Sequence, residues 1–438
     1  MSSTDQAALA GLGAREAAAR IRSGTLSAVA LVEACLATIA AREGAVFAWA
    51  HLDADGARAA ARAIDGAPRG EARGALCGVP VGIKDIIHAA GLPTTAGSRP
   101  FAHSRPTTDA TAVARLRAAG AIVLGKTHTT EFAYRDAGPT RNPWNGAHTP
   151  GGSSSGSAAA VAARMVPVAL GTQTVGSVLR PAAYCGVVGF KATHGAVPAE
   201  GVIPLAWSLD HVGVFARAID DVALVLGVLT GRGLDPVPVS APRLALAPEL
   251  LERATPEVAA HVRAMADRLA ADGATVVEVK LPPEFASLHA AAQRVLEVEA
   301  AAYHRATFAR HESDYGKGIA EMIRVGLGHS GVDYVAANRA RLAFREAVMP
   351  LLAAHDGLLS PTAPSTAPVG LAFTGDASLC APWSASGVPS ISLPTGLGAA
   401  GLPLALQVTQ AAGAEARLLG VAAWCARVLG PMPAPPSA

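Results

Sequence analysis

Aromatic residues make up only 4% of this 438-residue chain and charged residues only 16%. A core built on large rings is thereby excluded, so Ala, Val, Leu and Ile must fill it. At 51% hydrophobic content the chain has enough of them for a sizeable core. No block of like charge occurs and the formal net charge is +2, so composition offers no case for nucleic acid or membrane as a partner. The five cysteines (Cys35, Cys77, Cys185, Cys380 and Cys425) are widely spaced and include no CxxC. That excludes a zinc knuckle and a disulfide framework, and it points to reduced thiols and a cytoplasmic protein. Among the 13 histidines, none forms HExxH and none lies beside a GxSxG elbow, so the common metal- and histidine-based hydrolytic patterns are missing. No apolar run reaches the roughly 18 residues of a spanning helix. Glu33 interrupts the best of them, at 29–40. The chain opens without a basic segment leading into an apolar one, so no secretory signal is expected.

What is present alternates between helix and strand signals. Thr25 and Ser27 are plausible caps for a helix over 28–42. A second alanine-rich helix is expected over 53–64, a strand over 79–87, a helix over 109–119 started by Thr108 and Asp109, and a strand over 121–124. Later strands are expected at 243–247, 274–279, 357–360, 390–394 and 404–408. A mostly helical stretch spans 284–354, a closing helix 414–428, and a proline-rich tail 431–438 is expected to fray. The expected architecture is α/β: a single large domain over 1–438 with a central mixed, largely parallel β-sheet flanked by helices. Residues 1–70 form an N-terminal helical segment and 284–354 a helical insert.

The chemistry concentrates in three places. The run 149–160 places Gly151 and Gly152 before Ser153, Ser154 and Ser155. The run 171–177 ends in Gly176 and Ser177. Upstream, Lys84 sits among Val81, Ile83, Ile86 and Ile87. A serine hydroxyl needs a base before it attacks. A lysine can be that base only when neutral, which near pH 7 requires about 4 kcal/mol against its solution preference for the charged form. Burial among apolar groups supplies such a bias. If 79–87 is a strand, Asp85 faces away from Lys84 and need not hold it charged. Cys185 reads as a buried strand thiol rather than a nucleophile.

The runs 151–163 and 171–189, together with the lysine segment 78–85, resemble the amidase signature family. Lesser matches are Gly125-Lys126-Thr127, Asn142-Pro143-Trp144, Phe190-Lys191, 208–213 and 387–396, so the resemblance covers nearly the whole chain. It implies that Ser177 is the nucleophile, Ser153 the bridging serine on a cis peptide bond, and Lys84 the base. It also implies an oxyanion hole from the backbone of Thr174, Val175, Gly176 and Ser177, with Thr129 and Gly152 lining the substrate site. The implied activity is hydrolysis of C–N bonds in small molecules: amides, anilides, and the related carbamates and ureas, with esters cleaved incidentally. No cofactor and no metal are implied, the partner is a small-molecule substrate, and the chain is expected as a monomer or homodimer. Three positions depart from the commoner motif: Gln173 where Asp is usual, Val175 where Gly is usual, and Arg180 one place later than the usual Arg. Two alternatives are an amidase-like subunit of a glutamyl-tRNA amidotransferase and an inactive binding protein. The motif departures and the modest length of the chain argue against the first.

Overall fold

The computed structural model describes residues 3–68 and 74–436. Their strands join in one eleven-stranded sheet. The strands are β1 (Trp49–Leu52), β2 (Pro80–Lys84), β3 (Ile122–Thr127), β4 (Val168–Gln173), β5 (Val188–Lys191), β6 (His211–Ala216), β7 (Arg243–Leu246), β8 (Thr275–Glu278), β9 (Gly357–Pro361), β10 (Ser390–Leu397) and β11 (Pro403–Thr409). Their order is β1-β3-β2-β4-β6-β5-β10-β11-β9-β7-β8. The sheet is mixed and flanked by helices, as expected. Parallel pairing is narrower than expected, confined to β3-β2-β4 at one side and β9-β7-β8 at the other. The centre, from β4 to β9, is antiparallel throughout. Central strands covered on both faces read as unbroken apolar runs whichever way their neighbours point, so their direction is not legible in the sequence.

Local signals set most element ends. Ser27 caps the helix Ala28–Val46 by accepting from Ala30 N at 3.2 Å. The helix expected after Thr108 begins at Thr111 with Ala110 at the cap position. Asp109 is drawn off to accept from Ala90 N at 2.7 Å. Cys185 ends a helix, Leu179–Cys185, rather than lying in a strand. β2 stops at Lys84, where a turn donates Ile87 N back to the Lys84 carbonyl.

The buried apolar set is dominated by Ala, Val, Leu and Ile. Three helices, Phe285–His311, Lys317–Gly328 and Gly331–Ala353, fill most of the 284–354 stretch expected as a helical insert. The N-terminal segment carries helices but also β1, which pairs with β3; residues 69 and 70 of it lie outside the described residues. Residues 431–436 lack helix or strand yet do not hang free, because Pro436 O accepts from Arg42 Nη2 at 3.0 Å. Residues 437–438 lie outside the described residues. No described helix is long and apolar enough to cross a membrane.

Candidate active site

The site sits where β2 and β4 run side by side. Their parallel register pairs Ile83 with Leu170, which carries Lys84 to Thr172 on the neighbouring strand. Lys84 is fully buried. Its Nζ lies 2.7 Å from Ser153 Oγ, 2.8 Å from Thr172 Oγ1 and 3.5 Å from Thr172 O. No carboxylate is within ion-pair distance of it among the described residues. Desolvation holds its ammonium well below the ordinary lysine value, with Asp210 pulling more weakly the other way. Asp85 is turned aside: its Oδ1 receives Lys126 Nζ at 3.0 Å, and its Oδ2 receives Thr95 N and Thr95 Oγ1. Lys126 therefore neutralises the acid that follows Lys84 in the chain.

Ser153 follows a cis peptide bond from Gly152. Gly151 adopts φ +80°, a conformation that glycine accepts readily, and a Cβ there would lie 2.8 Å from Pro181 Cα. Beyond the serines runs the helix Ser155–Ala162, composed of small residues and buried on every side. Gly156 shows why they are small, since a Cβ at that position would meet Ala48 O at 2.2 Å. Ser154 N donates to Ser177 O at 3.3 Å, so the two glycine-serine loops are in contact. Ser154 Oγ also exchanges hydrogen bonds with the Thr172 backbone, donating to O at 3.1 Å and accepting from N at 3.2 Å.

Ser177 ends the second loop, just before the short helix Leu179–Cys185. Gln173 shapes this turn: its Oε1 accepts from Val178 N at 2.8 Å and Leu179 N at 2.9 Å. Its Nε2 donates to Ser384 Oγ at 2.9 Å, and Ser384 Oγ donates to Val175 O at 2.7 Å. A carboxylate at 173 could cap the helix but could not donate to Ser384. With the loop pinned in this way, the backbone N–H groups of 174, 175, 176 and 177 donate to no protein acceptor among the described residues. Unspent backbone donors next to a serine hydroxyl are of the kind that can receive a developing oxyanion. Thr174 Oγ1 donates to Asp210 Oδ1 at 2.5 Å, while Asp210 Oδ2 accepts from Leu205 N and Ala206 N. Burial pushes the Asp210 carboxyl up to about 6.

A cleft of about 440 Å³ opens over Thr174–Ser177. Its other walls come from 133–135, from Arg180 and Leu205, from His289, Gln293 and Leu296 of the insert, and from the loop 372–378. Thr129 and Gly152 do not line it. Thr129 is buried, with its hydroxyl on Thr130 O at 2.9 Å. Gly152 lies behind the wall, where its carbonyl receives Arg180 Nη2 at 2.6 Å. Arg180 also donates from Nη1 to Gly375 O and from Nη2 to Thr374 Oγ1 at 3.2 Å, which ties the 372–378 loop to the loop that carries Ser153. Cys185 is buried, donates to Pro150 O at 3.4 Å, and burial raises its thiol far above the ordinary range. The sequence does not single out Thr172, Arg180 or the insert residues as members of the site. Among the described residues, no group of three or more His, Cys, Asp or Glu side chains is placed to hold a metal ion.

Comparison with known proteins agrees with this architecture. The family model described as Amidase matches residues 30–419. A glutamyl-tRNA(Gln) amidotransferase subunit of Anaeromyxobacter sp. (strain K) is 38% identical, over 99% of each chain. A solved amidase superposes with a TM-score of 0.90 at 33% identity, covering 96% of this chain and 100% of that one. The peptide amidase of Stenotrophomonas maltophilia does so with a TM-score of 0.85 at 31% identity, over 97% and 98%. The chain belongs to the amidase signature family.

Proposed function

We propose that this chain hydrolyses C–N bonds of small amides, anilides or carbamates through an acyl-enzyme on Ser177. The observation that carries the reading is Lys84, a fully buried lysine without a carboxylate partner among the described residues, held 2.7 Å from Ser153 Oγ. In this reading neutral Lys84 accepts the Ser153 proton while Ser153 accepts that of Ser177, whose oxygen attacks the carbonyl. The unspent N–H groups of 174–177 receive the oxyanion, each such donor being worth about 3 kcal/mol. Reversal of the relay protonates the departing nitrogen, and water then releases the acyl group.

Lys84 also has the geometry of an oriented base. A neutral amine has two N–H groups and one lone pair. Thr172 Oγ1 and, more weakly, Thr172 O accept the two hydrogens. The lone pair is then left for Ser153.

The relatives support a second reading, the amidase-like subunit of a glutamyl-tRNA amidotransferase. Length does not weigh against it, since the chain spans 99% of that relative. Gln173, Val175 and Arg180 remain the departures that favour a free-standing enzyme. One experiment separates the two: the purified chain alone is assayed against p-nitroanilides, aliphatic amides, aryl carbamates and glutamine. Turnover without a partner or tRNA supports the first reading. Activity on glutamine only, appearing only with partner chains, supports the second. Failure of a serine-directed fluorophosphonate to label Ser177 would remove both.

A further inference from the structure

The cleft over Ser177 faces more positive charge than the fold neutralises. Arg135 is exposed at its wall, two residues past the turn Glu131–Ala133. Among the described residues no carboxylate lies within ion-pair distance of its guanidinium, which rests 5.1 Å from the centre of the Tyr134 ring. The neighbouring Asp136 is committed elsewhere, accepting from Gly318 N at 3.0 Å and Ile319 N at 2.9 Å. Arg180 lines the same cleft and is 7% exposed. Its acceptors are two carbonyls and a hydroxyl, and its Nε is buried without a partner. Burial is the main reason that the charged form of Arg180 is weakened; Tyr184, Cys380 and Asp376 pull the other way, and Arg135 adds a smaller repulsion. One carboxylate lines the cleft, that of Asp376; it is exposed, and its Oδ1 accepts from Ser378 N at 2.7 Å. The rest of the wall includes Tyr134, His289 and Gln293 together with Leu205, Leu296 and Phe373, which can cover a hydrocarbon chain.

We propose that the cleft selects amides bearing a free carboxylate away from the scissile bond, and that Arg135 is the residue that reads it. This rests on the acyl-enzyme reading above for the position of the reacting bond. A carboxylate entering the cleft would meet at Arg135 a guanidinium without an ion-pair partner among the described residues, whose N–H groups form a fork that matches a carboxylate. Lysine at 135 would keep the charge and lose the fork.

The test compares glutaryl-p-nitroanilide with pentanoyl-p-nitroanilide, which match in chain length and differ in the terminal charge. Wild type is expected to favour the glutaryl compound at least tenfold in kcat/KM at low salt, and the preference should shrink as salt rises. Arg135→Ala should reduce that preference about tenfold, mainly through KM, and Arg135→Lys should restore part of it. An absent preference in wild type, or one that Arg135→Ala leaves intact, overturns the proposal. A second arm needs no turnover: glutarate is titrated calorimetrically into Ser177→Ala protein with and without Arg135→Ala. Saturable binding, weakened about tenfold by the Arg135 change, is expected, and no binding to Ser177→Ala protein overturns the proposal. Arg135-dependent glutarate binding in a protein that cleaves neither anilide would uphold the charge selection while defeating the hydrolase reading.

Discussion

Replacing Thr172 by valine removes one hydroxyl and keeps nearly the same volume. The affected bond is the 2.8 Å contact between Thr172 Oγ1 and Lys84 Nζ. The contact that remains on that side, to Thr172 O, is stretched to 3.5 Å. The buried amine then has an N–H with no good acceptor, and its lone pair is no longer fixed on Ser153. Loss of one such bond, with a buried group left unpaired, costs about 1–3 kcal/mol. If the whole cost falls on the reacting state, kcat drops roughly 5- to 150-fold. KM should change little, since Thr172 does not line the cleft. The pH profile gives an independent readout. Lys84 must be neutral to act, so activity falls as pH drops through its pKa. The Thr172 hydroxyl accepts from the ammonium more strongly than from the amine, so its removal disfavours the charged form further. The acid limb of kcat/KM therefore moves to lower pH in Thr172→Val. Thr172→Ser keeps the hydroxyl and should stay near wild type. The rate of fluorophosphonate labelling of Ser177 reports the same step whatever the substrate. A Thr172→Val protein with unchanged kcat and labelling rate, or an acid limb moved to higher pH, would refute the oriented-base argument.

Ser177→Ala should abolish labelling and turnover, and Ser153→Ala should lower the labelling rate by at least about 10³-fold, both with unaltered far-UV circular dichroism. Lys126→Ala strands Asp85 as a buried charge and should cost about 3–5 kcal/mol, read as a fall in the urea midpoint at unchanged m-value. Asp210 has its pKa raised to about 6 in the folded protein, so its contribution to stability is fully present below the unfolded value of about 3.9 and is lost as pH rises through 6. Wild type measured against Asp210→Asn by urea denaturation should lose relative stability between pH 4 and pH 7; a flat or rising difference would contradict the assignment.

The candidate trio of Lys84, Ser153 and Ser177 is legible because glycine spacing is a local property: paired glycines before Ser153 and a glycine before Ser177 stand out in a linear string. Thr172 is not, because one hydroxyl in an apolar strand gains meaning only from the register that sets β4 beside β2. Strand alternation alone would turn Asp85 away from Lys84. The strand in fact ends at Lys84, and it is Lys126 on β3 that holds the acid aside. Thr129 and Gly152 do not line the cleft, whereas Tyr134 and Arg135, a few residues further along the chain from Thr129, do. Helices Phe285–His311 and Lys317–Gly328 read in the sequence only as an insert. Nothing in their periodicity reveals that Glu131 and Asp136 reach from the cleft wall to the backbone of Gly316, Gly318 and Ile319.

The proposed proton path is drawn from residues 84–177, whereas much of the far wall of the cleft is drawn from 289–296 and 372–378. In the proposed reading the bond-breaking groups and the carboxylate-reading Arg135 share the earlier stretch, while apolar cover for a guest, from Leu296 and Phe373, comes from the later one. Drift in the later stretch can then retune the hydrocarbon that is admitted while the earlier one keeps both the proposed chemistry and the proposed charge preference, so that shape and charge of the guest could be altered one at a time.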